Sequence, residues 1–427
     1  MAEVLVVVGS QWGDEGKGKI VDLFAKNVDY VCRCQGGNNA GHTVIVNNIS
    51  YFFHLIPSGV VNPNSTAVIG NGVVVHLPSL FKELNECKEK GLKDISSRLI
   101  ISDRCHIVFD FHVKIDHIEE EMRGSSSIGT TKRGIGPTYA HKVSRHGLRI
   151  GDMIYDWNNF VTKYHNFFGY VKKLYPSIEF DPEEELKNLE EFCKELRPMV
   201  QDTASVLSEA MKDPNKKILV EGAQSILLDI DFGTYPYVTS SSCSIGGVCT
   251  GLGIPPKKIT SVYGVMKAYT TRVGNGIFPT ELTDDVAEYI RAKGHEYGVT
   301  TKRPRRIGWL DCVLLNYSKM INGFDALGLT KLDILDDLEE VKIASAYRNK
   351  KTMEPIIGYP LCTKEMMEII DVQYIVLPGW KQPTSSITNF EDLPQQAKNF
   401  VLTIESLINV PIKWIGVGAS RESIIHR

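Results

Sequence analysis

The fold of this chain is decided near its start, by the stretch Val4-Leu5-Val6-Val7-Val8-Gly9-Ser10-Gln11-Trp12-Gly13-Asp14-Glu15-Gly16-Lys17-Gly18-Lys19. An aliphatic run precedes a glycine-rich loop, and apolar residues at positions 20, 21, 23 and 24 follow it with helical spacing. Glycines allow several backbone N–H groups to point to one place, and the N-terminus of the next helix is positive. The stretch therefore predicts a strand, a loop that can hold a polyphosphate, and a helix.

The loop matches the spacing of a P-loop, with one departure. Gly13-x4-Gly18-Lys19 fits the consensus, but Ile20 occupies the place of the Ser or Thr that binds magnesium. A metal ion would then need another ligand, and the Asp14 carboxylate inside the loop is a candidate. A dinucleotide-binding fingerprint does not fit, because Val21 falls where its third glycine should be. An ordinary glycine-rich turn stays open as the simpler interpretation.

Composition limits the class of protein. Of the 427 residues, 43% are hydrophobic and 23% are charged, as in an ordinary globular protein. The net charge of −3 argues against nucleic-acid binding by broad phosphate neutralisation. The longest apolar run, Val4–Val8, is far too short to cross a membrane and no basic segment precedes it, so we expect a cytoplasmic protein. The nine cysteines predict free thiols rather than disulfides.

Short apolar runs recur along the chain, with helical patterns between several of them. The runs that predict strands are Val4–Val8, Ala67–Ile69, Leu99–Ile101, Ile218–Val220, Ile259–Val265, Val341–Ala344, Val372–Leu377 and Ile412–Val417. The patterns that predict helices include Ser79–Lys90, Ile115–Arg123, Pro182–Leu196 and Leu393–Leu407. Most of these strands lack polar alternation, so both faces of their sheet must be covered.

No linker, repeat or low-complexity tract divides the chain. We therefore predict an α/β fold in which residues 1–427 form a single large domain around a mostly parallel β-sheet, with a P-loop-like N-terminal segment. The acidic stretch Glu183–Glu195 is interpreted as a solvated helix face.

Several motifs agree with one known family. They are the loop at residues 11–19, Gln35-Gly36-Gly37-Asn38-Asn39-Ala40-Gly41-His42-Thr43, Gly134-Ile135-Gly136-Pro137, Glu221-Gly222-Ala223-Gln224, Gly233-Thr234-Tyr235-Pro236-Tyr237-Val238-Thr239-Ser240-Ser241 and Arg303-Pro304-Arg305-Arg306. In sequence and order they resemble the motifs of the adenylosuccinate synthetase family, from residue 4 to about residue 421. The resemblance implies a single-domain ligase, usually a homodimer, that joins IMP to L-aspartate with GTP cleavage and uses Mg²⁺.

The reaction that the resemblance implies needs a base. The 6-oxygen of IMP is a poor leaving group, so it must be phosphorylated before the aspartate amine can replace it. A carboxylate that removes the N1 proton makes this oxygen nucleophilic, and Asp14 is the candidate general base. The resemblance assigns His42 a hydrogen bond to the 6-oxygen or to phosphate, adds Gln224 to the catalytic set, and makes the Gly41 carbonyl a second Mg²⁺ ligand beside Asp14. The alternatives are a structural histidine and a helix-capping aspartate.

GTP recognition is expected from the phosphate loop and from two motifs nearer the C-terminus. Lys331-Leu332-Asp333 resembles the guanine-reading element of GTPases, because a carboxylate can accept both the N1–H and the 2-amino donors of guanine. An exposed charged loop is the alternative. Lys17 and Lys19 would offset the charge on the transferred phosphoryl group. The residues assigned to GTP are Gly13, Glu15, Gly16, Lys17, Gly18, Lys19, Gly41, Thr43, Arg305, Lys331, Asp333, Gly416, Val417 and Gly418.

A basic loop and scattered polar residues are assigned to the other two substrates. Arginine forks bind carboxylates bidentately, so residues 299–306 predict a site for L-aspartate, with a solubilising or RNA-contacting patch as the alternative. The family has glycine at the position of Lys302. Because glycine adopts more backbone conformations than lysine, this difference affects how freely the loop can close. The residues assigned to aspartate are Val299, Thr300, Thr301, Arg303 and Arg305. Those that match the family's IMP site are Asp14, Asn39, Thr131, Arg145, Gln224, Thr239 and Arg303, of which Arg145 matches an arginine contributed by the partner subunit.

Two other classes of function share part of this pattern. Another P-loop ligase or kinase would share the phosphate loop but would not require guanine or aspartate. A GTP-binding switch would turn over slowly and would lack an acceptor site, whereas Asp14, His42 and the arginine loop indicate one. We therefore predict the ligase, which binds its three small substrates and neither nucleic acid nor a membrane.

Overall fold

The computed structural model of the chain describes residues 2–46, 49–298, 303–357 and 364–427. Its strands are β1 (Glu3–Gly9), β2 (Tyr30–Arg33), β3 (His42–Val46), β4 (Ile49–Phe53), β5 (Thr66–Ile69), β6 (Val74–Val75), β7 (Leu99–Ser102), β8 (His106–Ile107), β9 (Val200–Gln201), β10 (Lys217–Ser225), β11 (Ser261–Lys267), β12 (Thr270–Arg272), β13 (Glu281–Leu282), β14 (Arg306–Gly308), β15 (Leu310–Asp311), β16 (Ala326–Thr330), β17 (Glu340–Asn349), β18 (Pro355–Ile356), β19 (Ile370–Pro378), β20 (Ile412–Gly416) and β21 (Ile424–His426). Its α-helices are α1 (Lys17–Ala25), α2 (Leu77–Glu89), α3 (Asp110–Arg123), α4 (Ile135–Ser144), α5 (Ile150–Tyr155), α6 (Trp157–Leu174), α7 (Pro182–Leu196), α8 (Thr203–Ala210), α9 (Ile245–Leu252), α10 (Asp285–Gly294), α11 (Cys312–Asn322), α12 (Lys364–Ile369) and α13 (Gln395–Ile408).

A ten-stranded sheet forms the centre of the fold, in the order β21-β20-β16-β11-β1-β10-β2-β5-β7-β9. Neighbouring strands are parallel throughout, except for β20 and β21. β1 lies between β10 and β11, and later strands of the chain are added on both sides of it. Ligand sites in such sheets lie beyond the carboxyl ends of the strands, where the strand order reverses. The glycine-rich loop after β1 occupies this position.

Both faces of the sheet are covered, which explains why its strands are apolar without alternation. Val4, Val6 and Val8 of β1 join one buried cluster, whereas Leu5 and Val7 join a second cluster on the opposite face. A third cluster, rich in aromatic side chains, fills the space among α2, α3, α5, α6 and α7. Within the residues that the structure describes, none of the helices combines the length and the apolar composition that a membrane span requires.

A small antiparallel sheet brings the basic loop to the centre of the molecule. Its order is β12-β14-β13, and Arg272 of β12 pairs with Arg306 of β14. β12 follows β11 after only two residues, and β14 begins directly after Arg305. The pairing therefore holds Arg305 near the carboxyl end of β11, one strand from the phosphate loop.

The predicted α/β fold with a large, mostly parallel sheet is confirmed, although several of its elements differ from the predicted ones. β11 begins at Ser261 rather than at Ile259. The predicted strands at 341–344 and 372–377 belong to β17 and β19, which pair antiparallel in a separate four-stranded sheet. β21, which the apolar runs did not predict, pairs antiparallel with β20 at the sheet edge. A local apolar pattern predicts a strand but not its partner, which explains why the strands at 341–344 and 372–377 lie outside the central sheet. The cysteines in the described residues are free thiols.

Candidate active site

A cavity of about 260 Å³ opens at the carboxyl edge of the central sheet, beside the loop after β1. Its walls come from that loop, the turn before β3, and the loops that follow α3, β10 and β12. It brings together nine of the residues predicted from sequence, which are Gly13, Asp14, Asn39, Gly41, His42, Thr131, Gln224, Thr239 and Arg305. Residues from six separated parts of the chain therefore form one site.

The loop after β1 is held in shape by Glu15. Its buried carboxylate accepts hydrogen bonds from the backbone N–H groups of Gln11 and Gly13 and from Lys17 Nζ, each at 2.9 Å. Burial alone would raise the pKa of Glu15, but the charge and hydrogen bond of Lys17, with the backbone N–H of Gly13, hold this pKa below its ordinary value. Gly13 and Gly16 have φ angles of 97° and 77°, which favour glycine. Glu15 and Lys17 therefore stabilise the conformation of the loop. The sequence analysis assigned both residues to GTP and did not predict this structural role.

Asp14 lines the cavity with one oxygen engaged and the other not. Thr271 Oγ1 donates a hydrogen bond to Asp14 Oδ2 at 2.5 Å, and Arg305 Nε lies 3.1 Å from the same oxygen. Oδ1 is buried, lies 3.7 Å from Lys267 Nζ, and has no hydrogen-bond partner among the described residues. Helix capping does not explain this carboxylate, because the N-cap of α1 is Gly16. A buried oxygen without a partner indicates a bound cation or donor.

His42 and Gln224 also present buried atoms that lack a partner in the described parts of the chain, Nδ1 and Oε1 respectively. His42 Nδ1 lies 3.8 Å from Glu221 Oε1, and burial lowers the pKa of His42 well below its ordinary value, so the imidazole is neutral near pH 7. Gln224 has a φ angle of 53°, where β10 loses its register with β1. Such strain in a non-glycine residue is concentrated at functional sites.

Buried carboxylates hold two loops that line the cavity. Glu120 of α3 accepts the backbone N–H groups of residues 128, 129 and 130 at 2.8–3.2 Å, next to Thr131. Asp229 accepts those of residues 231, 232, 243 and 244, which flank Thr239. The sequence analysis identified neither Glu120 nor Asp229. The Asp229 bond to the N–H two residues later is an Asx-turn, so an aspartate before a polar loop is the signal that could have found it.

Sequence analysis also missed the loop at 273–276. Val273 and Asn275 of this loop line the cavity. The signal that could have identified this loop is the pair of glycines in Gly274-Asn275-Gly276, which is typical of a turn.

The predicted GTP motifs lie at the ends of neighbouring strands. Asp333 follows β16 and is partly buried, and burial raises its pKa above the ordinary value. Lys19 Nζ donates to the carbonyl oxygen of Gly418, after β20, at 2.7 Å, and burial lowers the pKa of Lys19 to about 8. Thr330 Oγ1 donates to the carbonyl of Glu15 at 2.6 Å. β16 is thereby joined directly to the phosphate loop.

The arginine loop is described in part. Val299, Thr300, Thr301 and Lys302 lie outside the described residues. On its two sides, Gly298 N–H donates to the Arg303 carbonyl at 2.8 Å, and Arg305 reaches Asp14. Arg145 is exposed just after α4 and is not among the described residues that line the cavity.

Together, a glycine-rich loop at a helix N-terminus, a neutral buried histidine and a carboxylate with an unpartnered oxygen define an enzyme of the α/β class that works on phosphorylated substrates. A family model described as adenylosuccinate synthetase matches residues 6–425. The chain belongs to the adenylosuccinate synthetase family.

Individual relatives agree with this membership. Proteins named adenylosuccinate synthetase from Schistosoma japonicum and Schistosoma mansoni are each 57% identical over 424 residues, which cover 99% of this chain and 98% of theirs. The fully ligated adenylosuccinate synthetase from Plasmodium falciparum has a TM-score of 0.95 at 46% identity over the whole of both chains. A cyanophage S-2L succinoaminodeoxyadenylate synthetase, at a TM-score of 0.63 and 19% identity over 100% of this chain and 95% of its own, shares the fold.

The activity of the chain follows from this membership. It is a GTP-dependent ligase that joins IMP and L-aspartate into adenylosuccinate, in AMP biosynthesis. A divalent metal ion takes part in this reaction.

Proposed function

We propose that the ligation passes through a 6-phosphoryl-IMP intermediate, with Asp14 as the general base. The observation that supports this most directly is the buried Asp14 Oδ1, which has no partner among the described residues and lines the same cavity as His42 and Gln224. Removal of the N1 proton of IMP places negative charge on the 6-oxygen, which attacks the γ-phosphorus of GTP and displaces GDP. The amine of aspartate then displaces phosphate from C6.

His42 and Gln224 assist this transfer. The neutral imidazole of His42 can donate one hydrogen bond to the 6-oxygen or to the transferred phosphoryl group. Gln224, at a φ angle of 53°, has an amide that can bind the purine edge. His42 is buried and Gln224 is half-buried, and both side chains can stabilise charge as it develops on the transferred group.

We infer that the divalent ion is Mg²⁺, held by Asp14 and the carbonyl of Gly41. Mg²⁺ prefers oxygen ligands and is commonly bound by one or two protein oxygens together with substrate phosphates. The Asp14 carboxylate and Gly41 both lie on the cavity wall, so a carboxylate and a carbonyl oxygen of the kind that Mg²⁺ prefers are present there. When bound, Mg²⁺ neutralises part of the phosphate charge of GTP.

The remaining assignments follow the three substrates. For GTP we assign Asp333, Lys331 and the backbone of residues 416–418 to the guanine. The loop after β1, Thr43 and Arg305 are assigned to GTP as well. For IMP we assign Asn39, Thr131, Thr239 and Arg303. Asn39 Nδ2 donates to Thr239 Oγ1 at 3.4 Å, which supports a shared site. For L-aspartate we assign Arg303 and Arg305, and the inclusion of Val299, Thr300 and Thr301 rests on sequence alone.

We propose a cytoplasmic homodimer of single-domain subunits in which Arg145 completes the IMP site of the partner. Ile135, the first residue of α4, lines the cavity, whereas Arg145 follows the last residue of this 10-residue helix, about 15 Å away. An exposed arginine at that distance is better placed to reach the cavity of a neighbouring subunit than the cavity of its own subunit. One sheet that contains both β1 and β20 supports a single domain over residues 1–427.

The substitution Asp14→Asn tests the general base. We expect kcat to fall by about 10²- to 10⁴-fold, because the amide has a similar shape but cannot accept the proton. Asp284→Asn, at the N-cap of α10, is the matched control and should keep normal kcat, since Asn caps as well as Asp. Near-normal kcat in folded Asp14→Asn protein would remove Asp14 from this role.

Isotope transfer tests the intermediate separately. IMP labelled with ¹⁸O at the 6-oxygen should pass its label to inorganic phosphate, because that oxygen leaves as part of the phosphate group. Label that appears in water instead would show direct displacement without phosphorylation.

A further inference from the structure

Glu296 is a fully buried carboxylate just after α10 that neither the motifs nor the cavity lining identifies. Its Oε1 accepts hydrogen bonds from Lys267 Nζ at 2.9 Å, Lys331 Nζ at 2.7 Å and the Tyr269 hydroxyl at 2.5 Å. Its Oε2 accepts a hydrogen bond from Arg305 Nη1. Four donors nearly exhaust what a carboxylate can accept, and three of them are cations.

Each of the three cations belongs to, or touches, a different part of the proposed site. Lys331 begins the motif that contains Asp333, after β16. Arg305 lines the cavity, and its Nε lies 3.1 Å from Asp14 Oδ2. Lys267, at the end of β11, lies 3.7 Å from the other oxygen of Asp14. Glu296 therefore joins Lys331, at the proposed guanine end of the site, to Arg305, which is assigned to L-aspartate and lies beside Asp14.

The backbone around Glu296 reinforces these contacts. Glu296 N–H donates to the Arg291 carbonyl at 3.0 Å, and Arg305 N–H donates to the Glu296 carbonyl at 2.9 Å. Lys331 Nζ also donates to the carbonyl of Gly294 at 2.7 Å. The position of the carboxylate is thus set by α10 and by the strand-like pairing with the arginine loop, rather than by a flexible side chain.

The charge balance shows why such a group is needed. Burial alone would raise the pKa of Glu296, but Lys267, Lys331 and Arg305 hold this pKa well below its ordinary value, so the carboxylate is ionised. Without it, three cations would repel one another in a buried space, where such repulsion is strong. Among the described residues, Glu296 is the shared hydrogen-bond acceptor of Lys331 and Arg305.

We propose that Glu296 is a positioning residue that holds Lys331 and Arg305 in one arrangement, so that the guanine end and the aspartate end of the site form together. This inference rests on the proposed assignment of Lys331 and Asp333 to guanine and of Arg305 to aspartate. It predicts that one buried carboxylate, which touches no substrate, governs the binding of two of the three substrates and leaves the third nearly unaffected.

The test is Glu296→Gln in the full-length enzyme, with KM measured for each substrate. We expect the KM values for GTP and L-aspartate to rise together by about 5- to 50-fold, because a buried charged hydrogen bond is lost, while the KM for IMP changes less than twofold. kcat should fall less than either KM rises. Glu281→Gln is the matched control, since it removes a carboxylate paired with the next arginine, Arg306, and all three KM values should stay within twofold.

Tyr269→Phe keeps the proposal testable if Glu296→Gln does not fold. It removes one donor to Glu296 and leaves the charges in place, so a folded protein is expected with smaller rises in the same two KM values, about 2- to 5-fold. Unchanged KM values for GTP and aspartate in folded Glu296→Gln protein, or in Tyr269→Phe protein if Glu296→Gln does not fold, would overturn the proposal. Equal rises in all three KM values would also overturn it, because they would show general loosening.

Two further variants separate this inference from the proposed function beneath it. If Asp333→Asn raises the KM for GTP and Arg305→Leu raises that for aspartate while Glu296→Gln changes neither, only the inference is wrong. If Asp333→Asn and Arg305→Leu leave both KM values unchanged, the assigned sites are wrong, and the role of Glu296 falls with them.

Discussion

At the scale of single residues, Asp333 tests how the site recognises guanine. The carboxylate is partly buried near Lys19, and the attraction of that cation does not cancel the rise in pKa that burial causes. If Asp333 binds guanine as proposed, Asp333→Asn places an amide donor opposite the donors of the base. We expect the KM for GTP to rise by the equivalent of about 1–3 kcal/mol, or about 5- to 150-fold, while the KM for IMP stays within twofold.

A neighbouring aspartate provides the control for this prediction. Asp337 is exposed and pairs with Lys293 and Tyr289. Asp337→Asn changes the same chemical group four residues away, and steady-state kinetics should show an unchanged KM for GTP. If Asp333→Asn instead raises the KM for aspartate and leaves that for GTP unchanged, the guanine site has been assigned to the wrong residue.

At the scale of elements, helix α7 shows how an acidic sequence can hide a buried acid. Glu183–Glu195 was predicted to be a solvated face, and most of its glutamates are exposed, but Glu185 is buried. Its carboxyl accepts hydrogen bonds from the Tyr164 hydroxyl of α6 at 2.6 Å and from the backbone N–H of Asp110. Position 185 shares the buried stripe of Leu189 and Leu196, so helical periodicity could have identified it.

Glu185 should make the stability of the protein depend on pH. Burial raises its pKa to about 8, so between about pH 4.5 and 8 the folded state holds a proton that the unfolded chain has lost. This group's contribution to stability therefore falls as pH rises through that interval. Glu185→Gln has no such proton, so its Tm relative to wild type should increase steadily from pH 5 to pH 8.

The quantity to measure is the difference in Tm between the wild-type and Glu185→Gln proteins, by thermal unfolding at several pH values. Burial also raises the pKa of Glu83 to about 7 and that of Asp311 to about 6, and these groups contribute with the same sign in both proteins. A Tm difference that does not change with pH would show that Glu185 is ionised in the folded state.

At the scale of the whole molecule, an experiment on Arg145 tests whether the active unit is a dimer. In a two-fold dimer each subunit lends the same residue to its neighbour. Mixing inactive Arg145→Leu protein with inactive Asp14→Asn protein should restore activity, because a heterodimer contains one site with both residues intact. Random pairing makes half the dimers mixed, so about a quarter of wild-type activity is the ceiling.

The control for this experiment is proof that subunits exchange. A tagged pull-down should recover both variants together, and neither parent should be active alone. If exchange is shown and the mixture stays inactive, Arg145 acts within its own chain or has no role in catalysis. Size-exclusion chromatography with light scattering on the wild-type protein gives the oligomeric state independently.

Local patterns were sufficient for the features that depend on neighbours in sequence. The loop at residues 9–19, with Ile20 packed into the core instead of binding metal, could be predicted because glycine spacing and the adjoining apolar runs specify strand, turn and helix locally. The K-x-D motif after β16 was predictable for the same reason. The family motifs also predicted site residues such as Thr131 and Thr239, for which the residue type alone carries almost no information.

Tertiary structure alone decided which groups stand next to each other. Glu296 meets Lys267, Arg305 and Lys331 across sequence separations of 9 to 35 residues, and Asp14 meets Thr271 across 257. The sequence determined by itself that the chain forms a glycine-rich phosphate loop on an α/β fold, because backbone conformation and burial follow short-range patterns. The sequence could not determine which buried charges neutralise one another. These pairs depend on the order of strands in the sheet, and two residues that form an ion pair show no periodic pattern in the sequence.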